Sequence, residues 1–246
     1  MSQLTGTTAL VTGGARGIGR GIVERLAADG AFVVFGYLNR EDAAAETVAR
    51  VRQRNGRALA VRADLTRPVE IEHLFVEAEK AGSGLNHFVN NAGTMLRSKI
   101  AETTEEQFDA IMSLNVKAAF FAHQQAARRL LDGGRIVNIS STATVLAQPN
   151  QAAYSMSKAA LDQLTRVAAK ELAGRGITVN TVAPGAVETD ELRADIQPAA
   201  LERWRRASAF GRLGQPDDIA DVVGFLLSED ARWITGQNIR AAGGAA

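Results

Sequence analysis

The chain has 246 residues, 46% of them hydrophobic and 22% charged, which is typical of a globular protein with one large core. Its 28 basic and 27 acidic side chains nearly cancel, so we expect small-molecule partners rather than nucleic acid or a membrane surface. Cysteine is absent, which excludes disulfides, thiolate metal ligands and a cysteine nucleophile. The three histidines are far apart in the sequence, and we predict no metal site.

The first residues lack the basic start and apolar stretch of a signal peptide. No apolar run approaches the roughly 20 residues that a membrane-spanning helix needs. We therefore expect a cytoplasmic protein.

Short apolar runs rich in β-forming residues alternate with longer helical patterns, as is typical of repeated βα units on a parallel sheet. The predicted strands are 8–12, 32–36, 58–62, 87–90, 135–140, 178–182 and 237–241. The predicted helices are 18–29, 43–55, 69–81, 108–131, 153–173 and 217–227. We predict an α/β fold with seven strands in a single domain that covers residues 1–246.

One long stretch, residues 188–210, fits neither pattern. It contains Pro198 and the basic run 203–206. We expect an irregular and mobile substrate lid here.

Two titratable side chains lie four residues apart near the start of the fifth predicted helix. This spacing places the Tyr154 phenol and the Lys158 ammonium one turn apart on the same helical face. A nearby cation favours the phenolate, and so lowers the pKa of a tyrosine from its usual value of about 10. The pair predicts a tuned acid–base group.

A glycine-rich turn follows the first predicted strand, with the sequence Thr12-Gly13-Gly14-Ala15-Arg16-Gly17-Ile18-Gly19. Glycine lets the chain turn tightly and lets a pyrophosphate approach the N–H groups at the positive end of a helix. The turn therefore indicates a dinucleotide site, although its spacing differs from G-x-G-x-x-G. An ordinary strand-to-helix turn is the alternative.

Six motifs follow one another along the chain. They are T-G-x-x-x-G-x-G at 12–19, N-N-A-G at 90–93, a helix asparagine at Asn115, a serine at Ser141, Y-x-x-x-K at Tyr154 and Lys158, and N-x-x-x-P-G at 180–185. Together they make the chain resemble the short-chain dehydrogenase/reductases, and among them the 3-oxoacyl-[acyl-carrier-protein] reductases. The resemblance extends almost from end to end. It implies a Rossmann-type, doubly wound parallel sheet with helices on both faces, and a homotetramer.

The resemblance implies four catalytic residues. Tyr154 would protonate the alkoxide that forms as hydride reaches a ketone carbon, and Ser141 would polarise the carbonyl oxygen. Lys158 would lower the pKa of Tyr154 and hydrogen-bond the nicotinamide ribose, while Asn115 would support a water that reprotonates Lys158. Ser140 is a rival to Ser141, but its spacing to Tyr154 departs by one residue from the family pattern of thirteen. A strand-end cap for the serine and buried backbone bonds for the asparagine are the structural alternatives.

The resemblance also implies a set of cofactor contacts. They are Gly13, Ala15, Arg16, Gly17, Ile18, Gly19, Tyr37, Asn39, Arg40, Asp64, Leu65, Asn91, Ala92, Gly93, Tyr154, Lys158, Pro184, Gly185, Val187 and Thr189. Asp64 would hydrogen-bond the adenine; alternatively, it caps the helix that follows.

The choice of cofactor depends on the end of the second strand, where an acidic residue would bind the ribose hydroxyls of NAD. That position is Tyr37, whereas Arg16 and Arg40 offer guanidinium groups suited to a 2′-phosphate. Glu41 and Asp42 are nearby and complicate this interpretation. We predict that NADP(H) is preferred over NAD(H).

The substrate pocket is expected between residues 142–151 and 188–208, beyond the carboxyl ends of the strands. The predicted substrate contacts are Ser141, Thr142, Ala143, Gln148, Tyr154 and Trp204. These segments predict a largely apolar cleft without a charge clamp. The basic residues at 128–129 and 203–206 either attract an acyl carrier protein or acyl-CoA, or are simply solvated.

The sequence thus predicts an NADPH-dependent reduction of a ketone, either a 3-oxoacyl thioester or another small apolar carbonyl, to a secondary alcohol. An NAD-dependent alcohol dehydrogenase of the same family is the first alternative, and a dinucleotide-sensing protein without turnover is the second. Ala242 stands where relatives commonly have aspartate, which departs from the family pattern near the expected subunit contact.

Overall fold

A computed structural model describes residues 3–189, 192 and 198–246. Seven parallel strands form one sheet in the order β3-β2-β1-β4-β5-β6-β7. The strands are β1 (Thr8–Val11), β2 (Phe32–Tyr37), β3 (Arg57–Arg62), β4 (Leu85–Asn90), β5 (Leu130–Ile139), β6 (Thr178–Pro184) and β7 (Asn238–Ala241). This arrangement confirms the predicted Rossmann-type α/β fold.

Helices cover both faces of the sheet. They are α1 (Gly17–Ala28), α2 (Glu41–Gln53), α3 (Pro68–Ala81), α4 (Glu105–Met112), α5 (Ala118–Arg129), α6 (Ala143–Leu146), α7 (Ala152–Glu171), α8 (Pro198–Ala207) and α9 (Pro216–Leu227). Short 3₁₀ turns cover Ile100–Glu102, Ala173–Arg175 and Glu229–Ala231. Within the described part of the chain, no helix combines the length and apolarity needed to cross a bilayer.

The predicted helix 108–131 is wrong as a single element. α4 starts at a capping box, in which the Thr104 hydroxyl accepts from the Gln107 N–H and the Gln107 side chain accepts from the Thr104 N–H. A π-helical turn, Ser113–Lys117, then separates α4 from α5. Such a turn holds one extra residue and is not visible in hydrophobic periodicity.

The prediction of an irregular segment at 188–210 is also partly wrong, because α8 occupies Pro198–Ala207. A proline at a first helical position and the basic residues of the last turn favour this helix. Residues 190, 191 and 193–197 of the predicted lid lie outside the described residues.

Two apolar cores, one on each face, fix the sheet between its helices. On one face Val33, Phe35 and Val137 pack against α1, α2 and α9. On the other face Phe88 and Ile136 pack against α3, α5 and α7. Strands buried on both sides are continuous apolar runs, which is why the sequence pattern predicted them well. Their carboxyl ends meet at one edge of the sheet.

Candidate active site

A cavity of about 1200 Å³ opens at the carboxyl ends of the strands. The strand order reverses between β1 and β4, and crevices of open α/β sheets form at such a point. The glycine turn after β1 lines one end of the cavity, and Ser141, Tyr154 and Lys158 line another part of it.

The glycine turn has the geometry of an anion cradle. Gly13 and Gly17 have φ values of 68° and 53°, which L side chains rarely adopt. A Cβ on Gly19 would lie 2.6 Å from the amide nitrogen of the Asn91 side chain. Arg16 is the N-cap of α1, and since its guanidinium has no acceptor atom it cannot cap the first amides of the helix. The turn therefore fits a dinucleotide pyrophosphate.

Hydrogen bonds tie this turn to the segment after β4. The Thr12 hydroxyl accepts from the N–H groups of Asn91 and Ala92, both at 3.0 Å. In return, the Asn91 side chain donates to the carbonyls of Thr12 at 2.9 Å and Gly13 at 3.1 Å. The glycine turn and the N-N-A-G segment therefore form one unit.

Tyr154 and Lys158 lie on the same buried face of α7. The Lys158 Nζ atom is 6.0 Å from the centre of the Tyr154 ring and donates to the carbonyl of Ile139 at 2.9 Å. The structure therefore brings together the two groups that the spacing of four predicted.

Burial lowers the pKa of Lys158 from 10.5 to about 8, although the carboxylate of Asp162, one turn further along α7, opposes this shift. Burial raises the pKa of Asp162 itself. The sequence reasoning did not identify this residue. A carboxylate four residues after a helical lysine is the pattern that could have indicated it. A buried lysine with a pKa near neutrality can hold or release a proton.

The stability of the protein should therefore depend on pH through Lys158. The unfolded chain keeps this proton up to pH 10.5 and the folded one only to about 8, so stability rises with pH between these values. The Lys158→Met variant lacks this dependence. We expect its free energy of unfolding, relative to the parent, to fall by about 2 kcal/mol from pH 7 to pH 10 without cofactor.

Denaturant unfolding at the two pH values measures this change. Lys170→Met, which removes an exposed lysine from the same helix, is the control and should show a constant difference. If the unfolding free energy of Lys158→Met also differed from that of the parent by the same amount at both pH values, this would contradict the assigned effect of burial on the pKa of Lys158.

The π-helical turn between α4 and α5 places Asn115 behind the cavity. Its side chain accepts from the Thr94 N–H at 2.9 Å and donates to the Thr94 carbonyl at 2.9 Å and the Ser157 hydroxyl at 3.0 Å. A Cβ on Gly93 would lie 3.1 Å from Asn115 Oδ1 and 3.2 Å from Lys158 Nζ. Asn115 thus lies close to Lys158. Its side chain hydrogen-bonds the backbone of Thr94, which is the structural role that was the alternative to catalysis.

The two serines after β5 differ in their surroundings. Ser140 is buried and its hydroxyl approaches the carbonyl of Lys158 at 3.5 Å. The Ser141 hydroxyl accepts from the Ala143 N–H at 3.1 Å and is partly exposed to the cavity. Ser141 is therefore better placed than Ser140 to bind a ligand oxygen.

Most predicted cofactor contacts line the cavity. These are Gly13, Arg16, Gly17, Ile18, Gly19, Tyr37, Asp64, Leu65, Asn91, Ala92, Gly93, Pro184, Gly185, Val187 and Thr189. Ala15, Asn39 and Arg40 do not. The carbonyl of Ala15 instead accepts from Arg20 and Thr47, and Asn39 is exposed.

The surroundings of Arg40 bear on its predicted contact with a 2′-phosphate, and those of Asp64 bear on its alternative role as a helix cap. Arg40 pairs through two nitrogens with the Asp42 carboxylate at 2.9 and 3.1 Å. Asp64 does not cap α3, because its carboxylate accepts from the N–H and hydroxyl of Thr66 and the N-cap of α3 is Arg67. These bonds hold the pKa of Asp64 below its usual value, chiefly through the Thr66 hydroxyl.

The cavity lining also includes Thr142, Ala143, Gln148 and Trp204, four of the residues predicted to contact the substrate. It also includes Leu146 and Phe210, which belong to the predicted pocket segment 142–151 and the predicted lid 188–210, and it includes Met95, Arg97 and Ala242–Ala245, which the sequence reasoning missed. The C-terminal residues reach the cavity because the Gly243 carbonyl accepts from the Ala209 N–H at 2.8 Å and the Ser208 hydroxyl at 3.3 Å. Only the folded chain brings these segments together.

Comparisons with known proteins identify the family. A family model described as enoyl-(acyl carrier protein) reductase matches residues 13–246. An uncharacterized oxidoreductase of Methylorubrum extorquens is 43% identical over 99% of both chains. The chain belongs to the short-chain dehydrogenase/reductase family of oxidoreductases.

Two solved structures agree with this assignment. The angucycline C-6 ketoreductase LanV with bound NADP has a TM-score of 0.94 and 44% identity, covering 99% of this chain and 97% of its own. A short-chain dehydrogenase from Burkholderia cenocepacia in complex with NADP has a TM-score of 0.93 and 40% identity over 99% of both chains.

Proposed function

We propose that the protein reduces a ketone to a secondary alcohol with NADPH. The observation that supports this proposal is the shared cavity, which joins the glycine turn to Ser141, Tyr154 and Lys158. A non-catalytic dinucleotide sensor has no chemical need for the last three residues. The name of the related ketoreductase LanV further favours carbonyl reduction.

The nicotinamide, when bound, supplies the hydride for the carbonyl carbon. Ser141 donates a hydrogen bond to the carbonyl oxygen, which polarises the carbonyl and stabilises the charge that develops on it. Tyr154 donates the proton that converts the alkoxide into the alcohol. Lys158 stabilises the resulting phenolate, and Asn115 positions the segment after Gly93 beside Lys158.

We propose a preference for NADP(H) on the basis of the adenosine end of the cavity. Tyr37 occupies the end of β2, and Arg16 lines the same region. Arg62 is a further basic residue near Tyr37, because the two residues are neighbours in the register of β2 and β3. The Arg62 side chain donates to the Leu38 carbonyl at 3.1 Å. Because Arg16 lines the cavity and Arg40 does not, Arg16 is the principal candidate for binding the 2′-phosphate.

A panel of ketones with NADPH and NADH tests the activity and the cofactor together. The panel contains short and long 3-oxoacyl thioesters, quinones, cyclic ketones and aromatic ketones. We expect NADPH oxidation with at least one ketone and a lower kcat/KM with NADH. Arg16→Gln should reduce the NADPH-to-NADH ratio of kcat/KM by about tenfold, because it removes a charged hydrogen bond to phosphate.

Arg52→Gln is the matched control, because Arg52 is exposed on α2 and does not line the cavity. Equal efficiency of the parent with both cofactors would contradict the preference. NADH-dependent oxidation of alcohols without ketone reduction would favour the alternative alcohol dehydrogenase.

We also propose a homotetramer in which α5 and α7 contribute to the subunit contacts. Phe120 on α5 and Met156 and Val167 on α7 are exposed, and such apolar side chains on neighbouring helices favour an interface. One of the basic residues considered for carrier recognition is already paired with acidic side chains. Arg129 binds the carboxylates of Glu72 and Glu79 at 3.1 and 2.7 Å.

A further inference from the structure

A cation and an aromatic ring from two different walls meet at the mouth of the cavity. Arg97 lies in the loop after β4, and Trp204 lies on α8. The guanidinium carbon of Arg97 is 5.4 Å from the centre of the Trp204 ring, and its Nε donates to the Met95 sulfur at 3.2 Å. The indole therefore holds the guanidinium over the entrance by a cation–π contact.

Arg97 keeps hydrogen-bond donors for a ligand. Its guanidinium has five N–H donors, of which the one at Nε is directed to the Met95 sulfur. Among the described residues, no carboxylate lies within ion-pair distance of Arg97, and the Met95 sulfur is a weak acceptor. The planar fork can accept a carboxylate or phosphate through two hydrogen bonds.

Two other basic residues in this part of the chain have acidic partners. Arg212 binds both oxygens of Asp218 at 2.6 and 2.9 Å. Arg206 pairs with Glu202 at 3.0 Å. Arg97 differs from both, because its contacts in the described structure are with a ring and a thioether.

The neighbouring cavity wall is apolar. Met95, Leu146 and Phe210 line it together with Trp204. Arg97 itself is exposed, as are Met95, Leu146 and Phe210, so water reaches the guanidinium. Binding of an anionic group beside Arg97 would therefore depend on the hydrogen bonds of the guanidinium and would weaken as the salt concentration rises.

We propose that Arg97, held in place by Trp204, is a specificity-determining residue that selects ketone substrates bearing an acidic oxygen group. The group is either a carboxylate of the ketone itself or a phosphate of its thioester carrier. This inference rests on the proposed ketone reduction, and it replaces the expectation of a cleft without a charge clamp.

A binding experiment without turnover tests the site directly. The chain contains two tryptophans, and Trp233 is 96% exposed, so Trp233→Phe leaves Trp204 as the single fluorescent reporter. In this background, cyclohexanecarboxylate and its neutral amide are titrated, with calorimetry as a second readout. We expect the acid to bind about 10- to 100-fold more tightly than the amide.

Arg97→Gln should abolish this difference by weakening the acid alone. Lys99→Gln is the matched control, since Lys99 lies on the same loop, pairs with Glu102 at 2.7 Å and does not line the cavity. Equal binding of acid and amide by the parent would overturn the proposal. An equal loss of both probes in Arg97→Gln would also overturn it, since Arg97 would then only shape the cleft.

Turnover separates the two sources of the acidic group. 4-Acetylbenzoate, 4-acetylbenzamide and acetoacetyl-coenzyme A are compared by kcat/KM in the parent and in Arg97→Gln. A loss confined to 4-acetylbenzoate supports a carboxylate on the ketone, and a loss confined to the thioester supports a carrier phosphate. If no ketone is reduced at all, the proposed function fails, while the titration still decides whether Arg97 binds acids.

Discussion

Tyr154→Phe should lower kcat for ketone reduction by about 10²- to 10⁴-fold, the usual contribution of a positioned general acid. The change removes one hydroxyl from a buried ring and leaves the packing of α7 in place. Binding of NADPH, measured by the enhancement of its fluorescence, should change by less than about threefold, because the glycine turn and Lys158 are untouched.

The chain provides an internal control for this experiment. It has only two tyrosines, and Tyr37 lies at the other end of the same cavity. Tyr37→Phe makes the same chemical change and should leave kcat nearly unaltered. Near-normal ketone reduction by Tyr154→Phe would rule out Tyr154 as the acid, and a similar loss in both variants would indicate a general disturbance of the site.

Gly19→Ala should abolish measurable cofactor binding and also lower the stability of the protein. The added Cβ would contact the carbonyl oxygen of Gly13 and would lie 2.6 Å from the Asn91 amide nitrogen. Neither neighbour can retreat without breaking the bonds between Asn91 and the glycine turn. Overpacking of this kind costs about 1 to 3 kcal/mol of unfolding free energy.

Gly174→Ala is the matched control, because an added Cβ there has no neighbour within 4 Å. Both variants are to be compared by calorimetric titration with NADPH and by denaturant unfolding without cofactor. Unchanged NADPH affinity in Gly19→Ala would show that the turn tolerates a side chain and would weaken its assignment as the pyrophosphate site.

The inner strands of the sheet could be predicted from the sequence because β1, β2, β4 and β6 are rich in apolar residues and almost wholly buried. The same method failed at residues 113–117 and 130–134. A π-helical turn preserves the helical pattern around Asn115 although it alters the backbone there. β5 begins at Leu130, directly after α5, and no break in hydrophobicity marks that boundary.

The candidate site was predictable where a motif is local, as in the glycine turn and the pair on α7. It was not predictable where distant segments meet. Nothing in the sequence around Arg97 indicates that α8 will bring Trp204 over it. Likewise, the small residues Ala242–Ala245 have no pattern of a binding segment, and they line the cavity only because Gly243 bonds the end of α8.

The bonds between Thr12 and the segment after β4 have a consequence for how the cavity forms. These bonds join residues that are 79 and 80 positions apart in the sequence. The bond from Asn115 to Ser157 joins residues that are 42 positions apart. Contacts between such distant residues require long loops to close first, which makes them slow to form. A fragment that ends before Asn91 contains every residue of the glycine turn yet lacks the partners that shape it. The capacity to bind a dinucleotide should therefore arise late in folding, with the completed sheet.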